Sequence, residues 1–310
     1  MLEETIQYLG PRGMDELMID ATMGEGGHSH ALLSRFPDLS IAGVDIDPSI
    51  QAVARERLAE FGSRVQFYTG WAQDFFAAYP AELRRPNTVF IDLGISLFHY
   101  KKSGRGFGFS ADEPLDMRLD PACGVSASEL LMRMSETDIA DILYKNAGER
   151  YSRRIARMVV QERQRGAIGP GMTAAALSEL IQRAVPASYR HGPIHPATRS
   201  FMALRIEVNR ELTRLPGLLE SAFDILEPEG RLGVISFHGL EDRIVKDFFR
   251  TKSRNCTCPP QAPKCTCGGR RKVNLLTRKG VTAGDTEVKT NPPSRSARLR
   301  AAEKIKECDA

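Results

Sequence analysis

The sequence predicts an α/β fold in which a parallel sheet carries helices on both faces and is interrupted by a module of helices. Three observations lead there. Short apolar runs alternate with stretches of helical periodicity through the first third of the chain. A glycine-rich turn, Gly24-Glu-Gly26-Gly27-His28, joins the first apolar run to the first helical one. After Asp92 the strand signal stops and resumes only at Arg231. Strands that alternate with helices at this spacing pair in parallel, because each crossover needs a helix to return the chain.

The elements follow in order. Leu17-Met-Ile-Asp-Ala21 is the first strand, and Ala31, Leu32 and Leu33 begin a helical pattern after the glycines. Ser40-Ile-Ala-Gly-Val44 is the second strand and ends at Asp45. Asp47 caps the next helix, and Pro48 takes its first position, where a missing N–H costs nothing. Ile50, Val53, Arg57, Leu58 and Phe61 continue at helical spacing. Val65-Gln-Phe67 and Thr88-Val-Phe-Ile91 are the third and fourth strands. Ser126 and Glu129 form a capping box for a helix with Leu130, Leu131 and Met134 on its apolar side. Another helix starts near Ser135, with Ile139, Ile142 and Leu143 at core spacing. The last clear strand is Arg231-Leu-Gly-Val-Ile-Ser-Phe237. The reading places a helical domain at 103–205 inside a sheet domain made of 1–102 and 206–310.

Composition narrows the class. With 42% apolar, 26% charged and 7% aromatic residues among 310, the chain is an ordinary globular protein and neither collagen-like nor wholly disordered. No apolar stretch approaches the length a membrane helix requires. The opening MLEETIQYLG lacks the basic start and long apolar run of a secretory signal, so a cytoplasmic location is expected.

Charge is unevenly spread. Arg250 to Arg300 holds 13 Lys/Arg against Asp285 and Glu287, whereas the formal net charge of the whole chain is only +4. Residues 149–205 form a second concentration, ten Arg against three Glu. Arg150, Arg153, Arg154 and Arg157 fall at i, i+3, i+4 and i+7 on one helical stripe, with Glu149 the only acid close by. Such stretches fit a polyanionic partner, because an arginine that replaces a condensed counterion on a phosphate releases it. A solvated helix face and a solvated tail are the alternatives.

Four of the six cysteines form Cys256-Thr-Cys258 and Cys265-Thr-Cys267. In a reducing compartment these are either thiolate ligands of a tetrahedral zinc or unliganded thiols. The intervening prolines could supply the turn, although Cys-x-Cys is a less common spacing than Cys-x-x-Cys. Cys123 and Cys308 carry no signal.

Ligands of parallel α/β sheets bind beyond the carboxyl ends of the strands, where Gly24–His28, Asp45 and Asp92 all fall. Glycines let the backbone approach a ligand and present N–H groups at a helix start. Asp45, 19 residues after Gly26, is placed to accept hydrogen bonds from a ribose diol. Both nicotinamide dinucleotides and S-adenosylmethionine fit this arrangement. A dinucleotide fingerprint counted from Gly24 would need a glycine where the chain has Ser29.

A set of ordered motifs spans nearly the whole chain: Asp20-Ala-Thr-Met-Gly-Glu-Gly-Gly-His-Ser29, Gly43-Val-Asp-Ile-Asp-Pro48, Asp92-Leu-Gly-Ile-Ser96, Arg105-Gly-Phe-Gly-Phe109, Pro114-Leu-Asp-Met-Arg118, His195-Pro-Ala-Thr-Arg199, Ala203-Leu-Arg-Ile-Glu-Val-Asn209, Ser236-Phe-His-Gly-Leu-Glu-Asp-Arg243 and Asn291-Pro-Pro-Ser-Arg-Ser-Ala-Arg298. Together they resemble the bacterial 16S ribosomal RNA cytosine-N4 methyltransferase family (RsmH, or MraW). The resemblance implies a Rossmann-like class I methyltransferase parallel-sheet domain with an inserted helical domain. It also implies S-adenosylmethionine as methyl donor, and as acceptor a cytidine in the decoding centre of 16S ribosomal RNA in the small ribosomal subunit.

By motif position, the resemblance carries cofactor contacts over to Gly26, Gly27, His28, Asp45, Asp92 and His99, where the family commonly has glutamine. Trp71 and Ala72, following Gly70, stand where the family usually has a phenylalanine after the third strand, and Trp71 is the candidate apolar contact for the adenine. Asp92 and Ser96 are the candidate catalytic residues. Arg150, Arg153, Arg154, Arg157, His195, Arg199 and Arg205 are the candidate RNA contacts, with Asn209 beside them. Phe107 and Phe109 are either stacking or core residues. His238, Glu241 and Asp242 form a further strand-end group in which Asp242 could pair with Arg243. Competing readings are a nicotinamide-dependent oxidoreductase, a non-enzymatic RNA-binding module, and a methyltransferase acting on another nucleic acid or on protein.

Overall fold

The computed structural model describes residues 1–109, 112–256, 258, 264 and 269–306. From the amino terminus come α1 (Leu2–Leu9), β1 (Leu17–Asp20), α2 (Gly27–Arg35), β2 (Ser40–Asp45), α3 (Pro48–Arg57), β3 (Val65–Thr69), α4 (Ala72–Ala77) and β4 (Thr88–Asp92). A run of helices follows: α5 (Leu97–Lys101), α6 (Ala127–Arg133), α7 (Glu136–Ala147), α8 (Ser152–Gln164), α9 (Ala174–Ala184), α10 (Ala187–Arg190), α11 (Thr198–Val208) and α12 (Glu211–Ile225). Then come β5 (Arg231–Ser236), α13 (Gly239–Lys252), β6 (Val273–Leu275), β7 (Val281–Thr282), α14 (Asp285–Thr290) and β8 (Arg298–Lys304).

The chain divides into two compact units, Met1–Ile95 with the chain from Leu212 onward, and Ser96–Glu211. The helical unit therefore takes in residues 96–102 and 206–211, which the sequence pattern assigns to the sheet domain. Packing explains the shift. His99 of α5 is buried with its ring 5.3 Å from Phe107, and Arg205 of α11 forms a two-point ion pair with Glu211, so both ends are tied to the helices.

In the sheet unit the strand order is β3-β2-β1-β4-β5-β8-β6, with β7 on β8. The first five strands are parallel, and β8 runs antiparallel to β5. Ile19 pairs with Ala42 on one side and Val89 on the other, which fixes the register. Both faces are covered. Leu17, Ile19, Val44, Val89 and Ile91 pack with Leu219 and Phe223 of α12, while Met18, Ile41 and Phe90 pack with Leu32 and Leu33 of α2. Each such side chain, fully buried, contributes about 1.5–3 kcal/mol by leaving water. This is the mostly parallel α/β sheet with helices on both faces expected from the sequence.

Two local expectations change. α2 starts at Gly27, ahead of the expected Ala31. α3 stops at Arg57, and Phe61 lies in a 3-10 turn, Ala59–Arg64, broken at Gly62 with φ +54°.

The basic carboxyl-terminal segment also differs from a solvated tail. Residues 298–304 form β8, inserted between β5 and β6, with Leu299, Ala301 and Ala302 buried. Arg300 is 8% exposed, and its guanidinium donates to both carboxylate oxygens of Asp242, at 2.7 and 3.0 Å. Asp242 thus pairs with Arg300 instead of the expected Arg243. Among the described residues no helix is long and apolar enough to cross a membrane.

The helical unit has its own core, in which Ile139, Leu143, Ile155, Val159, Leu177, Ile181, Phe201 and Leu204 are buried. The capping box forms as expected: Ser126 Oγ accepts the Glu129 N–H, and Glu129 accepts the Ser126 N–H in return. Ser135 caps α7, and Gly148 ends it with φ +62°. Phe107 is 4% exposed and belongs to this core.

Candidate functional site

Parallel strands end at one edge, so sheet order decides which loops meet there. β1 lies between β2 and β4, with Asp20 opposite Gly43 on one side and Phe90 on the other. The Gly24–His28 turn, Asp45, Gly70–Ala72 and Asp92 therefore leave the same edge of the sheet unit.

The turn is held by its neighbours. Met23 N–H donates to the Val44 carbonyl at 2.9 Å, Gly26 N–H to the Met23 carbonyl at 2.9 Å, and Gly24 N–H to Asp45 Oδ2 at 2.8 Å. Gly26 is the N-cap of α2 with φ +75°, a conformation side chains disfavour, and a Cβ on it would sit 3.0 Å from Leu58 Cδ1. The first turn of α2 thus begins at a bare backbone, where helix N–H groups and the dipole favour an anionic group such as a carboxylate. Asp45 is fixed from a second direction, since its Oδ1 accepts the Asp47 N–H at 2.9 Å.

Two residues to which the sequence pattern gives no site role complete the edge. Ser29, which spoils the dinucleotide fingerprint, is fully buried, and its hydroxyl donates to Asp20 Oδ2 at 2.6 Å. Thr22 Oγ1 accepts the Asp92 N–H at 2.7 Å, linking the first loop to the end of β4. The hydroxyl at position 22 and the serine at 29 are visible in the sequence as polar residues beside a glycine turn, but only the strand order shows what they bind.

Burial sets the electrostatics. Loss of hydration raises the Asp20 carboxyl to about 6, against the lowering pull of the Ser29 hydrogen bond. The same desolvation raises Asp92 to about 7, opposed by the Gly94 N–H, which donates to its Oδ1 at 3.1 Å. His28 is lowered to about 4, again chiefly by burial, so its imidazole is neutral at physiological pH. The ring packs edge-on to Phe90 at 4.9 Å, and its Nδ1 lies 3.8 Å from Asp92 Oδ2. Gly94 has no room for a side chain, because a Cβ there would meet the Phe237 ring at 2.5 Å.

Trp71 is the N-cap of α4 and Ala72, which is buried, is the first residue of that helix. The Arg214 guanidinium lies 4.2 Å from the centre of the Trp71 ring, a cation–π contact that holds the indole in place. Two further candidates belong to the helical unit. Ser96 caps α5, its Oγ accepting the Phe98 N–H at 3.1 Å, and His99 is buried in the same helix between Phe98 and Phe107.

The arginine-rich surface sorts into different roles. Arg153, Arg154 and Arg157 are exposed on α8 while Ser152, Ile155, Ala156 and Val159 are buried, so the stripe faces solvent. Arg157 has Glu136 at 3.7 Å. Arg150 precedes the helix, and its guanidinium lies over the rings of Tyr151 (5.2 Å) and Tyr189 (4.9 Å). Glu149 is fully buried, contrary to its apparent place beside the arginine stripe, and accepts the Tyr151 N–H and the Tyr189 hydroxyl, each at 2.8 Å. Arg199 donates from Nη1 to the Gly148 carbonyl at 3.0 Å. His195 stacks flat on Phe109, centroids 4.2 Å apart and 4° from parallel, and burial lowers its pKa.

Two candidates have partners within the helical unit. Arg205 pairs bidentately with Glu211, both bonds 2.9 Å, with side chains only 12% and 15% exposed, so the guanidinium is committed inside the unit. Asn209 is buried and clamps the 117–119 loop, accepting from Leu119 N–H and donating to the Met117 carbonyl, both at 2.8 Å. For the cysteine cluster, Cys258 N–H donates to Cys256 Sγ at 3.4 Å, and Cys265 and Cys267 lie outside the described residues.

Known proteins resemble this chain along most of its length. The MraW methylase family matches over residues 1–305. A protein named ribosomal RNA small subunit methyltransferase H from Treponema denticola is 53% identical over 305 residues, covering 98% of this chain and 96% of that one. Proteins of the same name from Treponema pallidum and Heliobacterium modesticaldum are 42% and 41% identical, covering 94% and 99% of this chain and 85% and 97% of theirs. Among solved structures, an rRNA methylase from Streptococcus thermophilus aligns at 10% identity with a TM-score of 0.40, over 98% of this chain and 93% of that one, too distant a likeness to bear on the site. On the match along its length and on these relatives, the chain belongs to the MraW methylase family.

Proposed function

We propose that the protein transfers a methyl group from S-adenosylmethionine to N4 of a cytidine in the decoding centre of 16S ribosomal RNA, in the small ribosomal subunit and in the cytoplasm. The observation that carries the reading is the shared sheet edge at which the Gly26 turn, Asp45 and Asp92 converge.

The residues present fit that donor. Asp45, held by two backbone N–H groups, presents a carboxylate suited to a ribose diol. The α2 start at Gly26, Gly27 and His28 suits the carboxylate of an amino-acid end, and Trp71 with Ala72 offers an apolar wall for an adenine. His99, placed by family resemblance, is proposed as a further cofactor contact. S-adenosylmethionine, when bound, supplies an electrophilic methyl group on sulfur.

The chain's own part is positioning and proton control. A cytosine exocyclic amine is a poor nucleophile because its lone pair is delocalised into the ring, so it must be held in line with the methyl group. The ionised Asp92 would accept a hydrogen bond from that amine and take the proton that leaves nitrogen as the C–N bond forms and the methyl–sulfur bond breaks, the neutral thioether being the leaving group. A carboxyl raised to about 7 is near the working pH, where a base is both ionised and able to hold a proton. Ser96, four residues further along the chain, is the second residue proposed for the reaction. The target base must leave its stack to be modified, and the arginine-bearing face of α8 with Arg199 and the His195–Phe109 stack is proposed to hold the surrounding RNA.

The test is incubation with methyl-labelled S-adenosylmethionine and small subunits that lack the modification, followed by mapping of the labelled base. Label at N4 of one cytidine of the decoding centre is expected. Label on another nucleic acid or on protein, or none despite tight RNA binding, overturns the reading.

A further inference from the structure

The turn between α7 and α8 makes a cleft of about 350 Å³, lined chiefly by Asp141, Tyr144, Arg150, Tyr151, Arg153 and Arg154. Its floor is built from the inside. The buried Glu149 carboxylate fixes the Tyr151 backbone and the Tyr189 hydroxyl, the two tyrosine rings meet edge to face at 4.9 Å, and Arg150 lies over both. Arg150 is thereby set in place, while Arg153 and Arg154 stand exposed on the first turn of α8, which contains no acidic residue. The acid in the cleft, Asp141, is engaged at 2.8 Å by Lys145. Beside these cations Tyr144 is 63% exposed, among the most exposed large hydrophobic side chains of the described residues.

Three arginines line a cleft whose one lining acid, Asp141, is already paired with Lys145, which favours an anion there, and the exposed Tyr144 ring in the same lining offers a stacking surface. RNA supplies both complements at fixed spacing, a phosphate and an unstacked base. We propose that this cleft holds one unpaired nucleotide of the RNA substrate, its phosphate on Arg153 and Arg154 and its base stacked on Tyr144. The cleft volume falls within the range of small-ligand sites. The proposal rests on the rRNA reading above and adds to it a residue outside the arginine stripe, Tyr144, together with a division of labour within that stripe. A free mononucleotide carries the same chemistry, and the test separates the two.

The full-length protein is titrated with a fluorescent single-stranded RNA, with mononucleotides, and with undermethylated small subunits, at several salt concentrations. Tyr144→Ala is expected to weaken RNA binding about tenfold, the usual effect of removing one base-stacking partner. Arg153→Gln with Arg154→Gln is expected to weaken it further and to flatten the plot of log affinity against log salt by about 0.7 for each phosphate that is no longer neutralised. Arg133→Gln, which removes an exposed cation of α6 elsewhere on the same unit, is expected to leave affinity within about twofold, and S-adenosylmethionine affinity stays unchanged in all variants. Unchanged RNA affinity and salt slope in the Tyr144 and Arg153/Arg154 variants overturns the proposal even if the wild type methylates rRNA. Binding of mononucleotides as tight as that of RNA, abolished in the same variants, assigns the cleft to free nucleotides and also overturns it. Loss of RNA binding in these variants of a wild type that methylates no rRNA supports the cleft and rejects the reaction assigned above.

Discussion

The Asp45 carboxylate accepts the Gly24 N–H at 2.8 Å, so the acid that ends β2 also fixes the glycine turn that follows β1. Its other oxygen takes the Asp47 N–H at 2.9 Å, at the start of α3. One side chain therefore links two loops of the edge, and Asp45→Ala leaves both donors without their acceptor. The expected result is a loss of S-adenosylmethionine affinity of about 2 kcal/mol, roughly thirtyfold, since bonds to a charged acceptor are worth about 1.5–3 kcal/mol. Faster amide exchange at Gly24 should accompany it. Calorimetric titration and hydrogen exchange read the two effects separately.

The raised carboxyls give opposite pH trends for stability and activity. Asp92 at about 7 and Asp20 at about 6 keep their protons in the folded chain after the unfolded chain has lost them, above its ordinary value of 3.8. Their contribution to stability is full below that value and is lost as pH rises through 6 and 7. Under the proposed mechanism activity moves the other way, because Asp92 must be ionised to take the amine proton. The expectation is that kcat/KM climbs through a midpoint near pH 7 to a plateau above pH 8. Asp92→Asn should melt higher than wild type at pH 8, by a margin that shrinks at pH 5, and should transfer little methyl. A wild-type profile flat from pH 5 to 8 contradicts this role.

Gly94 offers a steric test. A methyl group there meets the Phe237 ring at 2.5 Å, and that ring packs against the buried cluster of Phe90, Ile235 and Leu299. Gly94→Ala should cost about 1–3 kcal/mol of stability through overpacking and depress methyl transfer by displacing Asp92, whose Oδ1 the Gly94 N–H holds. Adding Phe237→Leu should recover part of both. Urea denaturation and single-turnover assays are the measurements.

How much of this is legible from residues alone depends on how local the determinants are. The glycine turn, Asp45, the Asp47-Pro48 helix start and the Ser126–Glu129 box are readable because each is a short-range pattern with a backbone cause. Arg300 is not, because its burial depends on Asp242, 58 residues earlier, and on β8 entering the sheet beside β5. Glu149 looks like a lone acid among arginines, yet Tyr189, 40 residues on, draws it inside. Arg205 resembles a phosphate ligand until Glu211 proves to engage two of its three guanidinium nitrogens. Charge in a sequence predicts a partner but does not say whether that partner is inside the same chain.

The Asp242–Arg300 pair makes that point testable. With Arg300 9% exposed at its side chain, Asp242→Ala strands a nearly buried guanidinium and should lower unfolding free energy by about 3 kcal/mol. Replacing both residues, Asp242→Leu with Arg300→Met, should recover most of it, as read by guanidinium denaturation. Equal destabilisation by the single and double changes contradicts the pairing.

The most direct measurement is calorimetric titration of the wild-type protein with S-adenosylmethionine and, separately, with a nicotinamide dinucleotide. The account requires one-to-one binding of the sulfonium compound in the micromolar range, weakened by Asp45→Ala, and no saturable heat from the dinucleotide. Saturable dinucleotide binding that Asp45→Ala abolishes, with none for S-adenosylmethionine, would contradict it.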